Sequence, residues 1–250
     1  MLLCMNILKK LGTTVLDALF PLSSAEQELF LLSPEAALQE LGRAPDYSGL
    51  AVPLPGARSV FAYKDERVAK LVWNIKYKRS ALAVKIGGYA LWHEFSESHN
   101  SDASATTILI IPIPITAQRR RERGYNQCEL LIDEVERLLK EQIDLSLVPN
   151  AERIHYVFEK NLLIRTHHAA RQTLKGREDR VESAQGIFGV DEKAIERLGI
   201  NILKDSGTAI EKVRVIMVDD VITTGSTMHE AIETLKKAGF EDVRALSLAH

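Results

Sequence analysis

The run from Val215 to Thr227, Val-Ile-Met-Val-Asp-Asp-Val-Ile-Thr-Thr-Gly-Ser-Thr, constrains the fold of this chain more than any other stretch. Its apolar tetrad, Val215 to Val218, reads as a parallel strand buried on both faces. Asp219 and Asp220 then fall at the strand's carboxyl end, the edge at which open α/β sheets take up ligands. Thr223, Thr224, Gly225, Ser226 and Thr227 form a turn that offers hydroxyls and free backbone N–H groups at a helix start, which suits a phosphate monoester. Two adjacent carboxylates repel each other and lower stability unless a ligand or hydrogen bonds compensate. They cannot serve a phosphate, but they can bind paired sugar hydroxyls or a metal-bound water. Taken as one unit, the run suits a ribose 5-phosphate. A P-loop is excluded, because no Gly-Lys-Ser/Thr follows a glycine-rich loop anywhere in the chain.

The rest of the chain is compatible with an α/β enzyme. At 250 residues, 46% of them hydrophobic, it can build one large domain or a core with an appendage. The net charge of −2 sets up no global field for nucleic acid or anionic membrane, so any polyanion site must be local. Cys4 and Cys128 are far apart and in no Cys-x-x-Cys spacing, which argues against a structural disulfide or a thiolate zinc site and fits a reducing cytoplasm. No signal peptide is legible, since Lys9 and Lys10 interrupt the apolar start. The longest uncharged run, residues 103 to 118, contains Pro112 and Pro114 and is shorter than the ~20 apolar residues a bilayer span needs.

Residues 1–105 read as a helical layer, and residues 106–250 as the core. Leu8, Leu11, Val15 and Leu19 have helical spacing, and Ser33-Pro34 opens a short helix. A strand is expected at Val60 to Tyr63, an amphipathic helix from Glu66 to Tyr77, and another over residues 81 to 95, weakened by Gly87-Gly88. Residues 96–105 read as a linker. In the core, strands are expected at Thr107 to Ile115, Leu162 to Ile164, Ile187 to Val190, the Val215 run, and Val243 to Ala249. Helices are expected from Cys128 to Gln142 and from Ser226 to Ala238, with a turn or two around Ala194 to Leu198. The alternation predicts a parallel sheet with right-handed crossovers.

Three further features carry or could carry chemistry. Pro112-Ile113-Pro114-Ile115-Thr116 ends a core strand and leads into Arg119-Arg120-Arg121-Glu122-Arg123-Gly124-Tyr125-Asn126-Gln127. That loop should share the sheet edge with Asp219 and Asp220, although Arg119 to Arg121 suit a solvated basic turn equally well. Residues 165–180 hold Arg165, His167, His168, Arg171, Lys175, Arg177 and Arg180 against only Glu178 and Asp179. A basic stretch this long is functional or disordered, and it suits a phosphate backbone, though few aromatics are present for stacking. His167-His168 lacks a third metal ligand. Trp73 and Trp92 lie on helical patterns and read as core or interface residues. Cys128, at a helix start without a partner His, reads as a small packing residue.

The Asp219–Thr227 loop resembles the 5-phosphoribosyl 1-diphosphate (PRPP) loop of type I phosphoribosyltransferases, and every position fits. Arg123-Gly124-Tyr125-Asn126-Gln127 after Pro112-x-Pro114, with Arg165, Gln172, Leu174, Arg180, Gly186 and Phe188, narrows the resemblance to the ComF branch, the competence-associated phosphoribosyltransferase-like proteins. The likeness runs roughly from residue 57 to 250. It implies a type I phosphoribosyltransferase core, a mainly parallel sheet flanked by helices, preceded by an N-terminal hood. It also implies PRPP as ligand with Mg²⁺. Asp219 and Asp220 would hold the ribose hydroxyls, directly or through the metal's water, and Thr223, Thr224, Gly225, Ser226 and Thr227 the 5-phosphate. Pro114, Ile115, Thr116 and Arg123 would face the pyrophosphate, and a lid from Arg165 to Arg180 would close over it, with Arg123, Arg165 and Arg180 as the catalytic cations.

The chain departs from that pattern in places. Leu22, Ser23 and Ser24 follow Phe20-Pro21 where many relatives carry a four-cysteine zinc ribbon, so no zinc is expected. Ser183 replaces a usual Asn, and residues 192–211 are longer than usual. Lys76-Tyr77-Lys78 resembles a basic-aromatic spot of the family, and an exposed helix end explains it as well. The implied function is phosphoribosyl transfer to an unknown acceptor, recognised by the hood, with release of pyrophosphate. The alternatives are a PRPP sensor or regulator, or a single-stranded-DNA-binding accessory in DNA uptake and natural transformation. A homodimer stays open.

Overall fold

The central strands of this protein carry long apolar runs because both sheet faces are covered. A computed structural model describes residues 22–44, 50, 52–99, 107–142, 155–166, 186–198 and 213–250. Strands β1 (Arg58–Phe61), β2 (Thr107–Pro112), β3 (His155–Phe158), β6 (Val213–Val221) and β7 (Asp242–Ala249) form a five-stranded sheet in the order β1-β7-β6-β2-β3. All its pairings are parallel. Ile108 and Ile110 of β2, Ile216 and Val218 of β6, and Leu246 and Leu248 of β7 enter one core. Their neighbours Leu109, Ile111, Val215, Met217, Val243 and Ala245 enter a second core on the opposite face. That division is the period-two alternation of a strand with both faces buried.

The first face is covered by α1 (Ser24–Leu31), α2 (Pro34–Glu40), α3 (Glu66–Trp73), α4 (Ala81–His99) and α6 (Gln127–Gln142). Leu29, Leu71, Ile86, Leu91 and Leu131 are fully buried there. Capping explains the starts of the small helices. Ser23 and Glu26 form a reciprocal capping box on α1, Ser33 caps α2 with Pro34 at its first position, and Asp65 caps α3. The second face packs against α8 (Ser226–Lys237), α7 (Glu192–Leu198) and a small hairpin of β4 (Leu163–Arg165) and β5 (Phe188–Val190). A short α5 (Ala117–Arg123) follows β2, capped by Thr116.

Three expectations change in detail. Leu162 to Ile164 is not a strand of the main sheet. Leu163 and Ile164 pair antiparallel with Val190 and Gly189, so that stretch lies under the second core as a hairpin. The place beside β2 belongs to β3, whose mixed sequence His-Tyr-Val-Phe gave no strand signal and whose residues are only half-buried or exposed, as suits an edge. The strand expected at Val60 to Tyr63 forms two residues earlier, as β1, and its pairing with β7 makes it the other edge of the sheet. Gly87-Gly88 lie inside α4 without breaking it. A Cβ on Gly87 would come within 2.9 Å of Leu131 Cδ2, and one on Gly88 would overlap the Cβ and Cγ of Glu134. The pair lets α4 and α6 approach closely. The helix expected at Leu8 to Leu19 and most of the basic stretch 165–185 lie outside the described residues. Among those described, no helix is long and apolar enough to cross a membrane.

Candidate functional site

The sheet order makes a crevice where the chain changes direction. Strand β2 is followed in the sheet by β3 on one side, and its neighbour β6 by β7 on the other. Loops leaving the carboxyl ends of β2 and β6 therefore diverge, and open α/β sheets bind ligands at such a switch point. The loop after Pro112 and the acid pair at the end of β6 border a cleft of about 390 Å³, within the size range of small-ligand sites.

Asp219 and Asp220 sit on one wall. Asp219 Oδ1 accepts from the Asp220 backbone N–H at 2.8 Å and from the Cys128 thiol at 3.5 Å. Burial, and then the charge of Asp220, push Asp219 up to about 7. Burial and the same two carboxylates push the Cys128 thiol well above its ordinary range, so it stays a proton donor. Cys128 is therefore a packing residue, as its sequence suggests, with the added role of bonding Asp219. Asp220 is paired with Lys76, whose Nζ lies 2.9 Å from Oδ2, and the two side chains are 22% and 4% exposed. Burial works against the Lys76 charge, but Asp220, with Asp219 behind it, outweighs burial and holds the ammonium above its ordinary pKa.

The turn after β6 forms the floor. Gly225 is the N-cap of α8 at φ 83°, a left-handed conformation that costs a side-chain-bearing residue, and no side chain caps the helix. The first-turn N–H groups therefore remain available to an anion. Thr224 Oγ1 and Ser226 Oγ lie 3.1 Å apart, and Thr223, Thr224, Ser226 and Thr227 are all exposed. A second constraint fixes Gly225: a Cβ there would approach the Val52 carbonyl oxygen to 2.9 Å. The Val52 N–H also donates to the Thr224 carbonyl at 3.3 Å, so the N-terminal segment seats on this turn.

The Arg-Gly-Tyr-Asn-Gln motif joins these parts. Asn126 Nδ2 donates to the Ile113 carbonyl at 2.9 Å, and its Oδ1 accepts from the Cys128 N–H at 3.0 Å, so one buried amide holds the loop after β2 to the start of α6. Arg123 donates to the buried Gln127 side chain at 3.0 Å and lies 5.0 Å over the Tyr77 ring. Tyr125 Oη donates to the Ile75 carbonyl at 2.8 Å. Ile75 belongs to a π-helical turn, Asn74–Lys78, that continues α3 and ends at Arg79 with φ 49°. Buried Asn74 donates to Glu26 Oε1 and to the Lys70 carbonyl, both at 2.9 Å. Burial alone would raise the pKa of Glu26, but donors from Asn74, Ser23 and Lys78 lower it to about 2.

Most of the expected site residues converge. Pro114, Ile115, Arg123, Arg165, Asp219, Asp220, Thr223, Thr224, Gly225 and Thr227 all line the cleft, and Arg119 joins them. Thr116 caps α5, its Oγ1 accepting from the Arg119 N–H at 3.2 Å, and Ser226 stands beside Thr224 at the mouth of the turn. Arg165 donates to the Pro114 carbonyl at 3.0 Å, with its guanidinium 4.9 Å from the Phe188 ring. Arg120 turns away and pairs with Glu129, as a solvated basic turn would. Arg180, Gln172, His167 and His168 lie outside the described residues. The sequence shows Lys76 only as part of a basic-aromatic spot, and nothing in it announces the pairing with Asp220. Of the core and interface readings of Trp73, the core one fails, since it is 44% exposed, tilted against Tyr77 at 5.8 Å with Lys78 over its ring.

Residues 170–250 match the phosphoribosyl transferase domain. Competence protein F of Haemophilus influenzae is 31% identical over 140 residues, covering 56% of this chain and 49% of that protein. ComFC of Bacillus subtilis is 26% identical over 182 residues, covering 73% and 58%, and ComFC of Streptococcus pneumoniae is 29% identical over 140 residues, covering 55% and 46%. The chain spans about half the length of the curated relatives it matches. The parallel sheet with its ligand edge, the matched domain and these relatives agree: the chain carries a phosphoribosyl transferase domain and is similar to the competence proteins of the ComF family.

Proposed function

We propose that the cleft binds PRPP with Mg²⁺ and that the protein transfers the phosphoribosyl group to an acceptor, releasing pyrophosphate. The observation that supports this most is the meeting of two chemistries in one small cleft. An acid pair stands beside an uncapped, hydroxyl-rich helix start, and Arg119, Arg123 and Arg165 line the same cleft. The acids suit ribose hydroxyls, the turn suits the 5-phosphate, and the cations suit a diphosphate whose charge grows as it leaves. Arg180 would add to them if the basic stretch closes as a lid. Two carboxylates are hard oxygen donors that suit Mg²⁺, and the protonated Cys128 thiol beside them is no ligand. Asp220 already holds Lys76, so Asp219 and Asp220 would meet the ion through water, while the ligand supplies its other oxygens. When bound, the ion would neutralise the departing diphosphate. A cytoplasmic setting suits both PRPP and the free thiol of Cys128.

Titration calorimetry with PRPP and Mg²⁺ tests binding, and release of pyrophosphate in the presence of bases and amines tests transfer. Thr224→Val removes one exposed hydroxyl from the turn and should weaken PRPP binding by about 1–3 kcal/mol without changing the melting temperature. A wild-type protein that shows no PRPP binding would end this reading.

A second reading has its own support. Competence is in the names of the relatives, and the exposed rings of Trp73 and Tyr77 lie side by side with Lys78 over one and the half-buried Arg123 over the other, a strip running to the cleft. Such a strip suits stacked bases of single-stranded DNA, and an accessory role in DNA uptake would follow. PRPP binding without any pyrophosphate release, together with tight DNA binding at physiological salt, would favour it.

A further inference from the structure

Lys76 reaches the acid pair from outside the core. It stands on the π-helical turn after α3, in the N-terminal segment, and no residue of the PRPP loop or the loop after β2 delivers it. A π-turn carries one more residue per hydrogen-bonded ring than an α-turn, so it rotates the following side chains relative to the helix before them. Here Tyr77 and Lys78 are exposed, whereas Lys76 is turned inward onto Asp220. Three separate contacts hold that irregular turn: Asn74 to Glu26, Asn74 to the Lys70 carbonyl, and Tyr125 to the Ile75 carbonyl. A buried ion pair on its own adds little net stability, because desolvation offsets the attraction. This pair also opens onto the cleft, where Lys76 is one of four lining cations, with Arg119, Arg123 and Arg165, against two carboxylates.

We propose that Lys76 is a ligand-site residue. It offsets the charge of Asp220 in the free protein, and in the complex its ammonium faces the anionic ligand, so PRPP binding depends less on a divalent cation than the acid pair alone would require. The inference rests on the PRPP reading and deepens it. Two carboxylates and a polyanion repel at short range in a partly dry cleft, and some fixed cation must stand between them. Lys76 is already there.

Calorimetry with PRPP on the full chain tests this, comparing wild type, Lys76→Met and Lys76→Arg, each in excess Mg²⁺ and in EDTA. Wild type should lose no more than about tenfold in affinity on moving to EDTA. Lys76→Met should bind on the order of tenfold more weakly with Mg²⁺ and a further hundredfold more weakly in EDTA, and Lys76→Arg should recover most of the loss. Recovery by arginine would show that charge, and not packing of the lysine stem, is responsible. Equal binding by wild type and Lys76→Met, or failure of arginine to recover any of the loss, overturns the proposal. Loss of all wild-type binding in EDTA overturns it too, and that arm holds even if Lys76→Met does not fold. Absence of wild-type binding with Mg²⁺ present removes the PRPP reading and this inference together.

Discussion

Asp219 is held in a condition that favours its proton. Its pKa of about 7 lies above the ordinary 3.8, so between those values the folded protein binds more protons at this pair than the unfolded chain does. Stability contributed here is therefore present at low pH and falls as pH rises through that window. Asp219→Asn removes the charge while its amide oxygen can still accept from the Cys128 thiol and the Asp220 N–H. The variant should melt above wild type at pH 8, the gap should close near pH 4, and PRPP affinity should fall. Thermal melts across that range decide the matter, and a lower melting temperature at pH 8 would count against it.

Among the elements, packing outweighs propensity. Gly87 and Gly88 looked like weak points of α4 because glycine lowers helix propensity, yet they are where α4 meets α6 and β7. Gly88→Ala should improve propensity and still destabilise, by about 1–3 kcal/mol, since its Cβ meets the base of Glu134 rather than a flexible tip. Urea unfolding measures this, and a stabilised variant would show that the helices can part freely. The site's core was legible because Asp219 and Asp220 follow an unbroken apolar strand and precede a turn of distinctive chemistry. Lys76 was not legible as a partner of Asp220, because its direction depends on a π-turn that no periodic pattern announces and on Asn74 and Tyr125 contacts distant in sequence. Strand β3 was hidden for a simpler reason: a four-residue edge strand with one half-covered face has no alternation to display. The short apolar run Leu162 to Ile164 does announce a strand, but not its sheet, since apolarity is local in sequence and pairing is not.

At the scale of the molecule, the N-terminal layer and the phosphoribosyltransferase-like core are joined by more than a cleft. Leu29, Phe61, Leu71, Ile86 and Leu91 share one buried cluster with Ile108, Leu131, Ile216 and Leu246, and β1 completes the sheet beside β7. Removing residues before 105 would leave only α6 on the first face of the sheet, so residues 106–250 expressed alone should aggregate. The intact chain should unfold in a single calorimetric transition, because neither part keeps its core without the other. PRPP with Mg²⁺ should then raise that transition as a unit. At a ligand concentration a hundred times the dissociation constant the stabilisation is about 2.7 kcal/mol, which for a chain of this size is roughly 5–10 °C. Two transitions, with only one moved by the ligand, would mean that the N-terminal layer folds on its own and merely rests on the site. One transition that moves whole would mean that the layer carrying Lys76 and the sheet carrying Asp220 are ordered together, which is the condition under which a cation from one can serve carboxylates on the other.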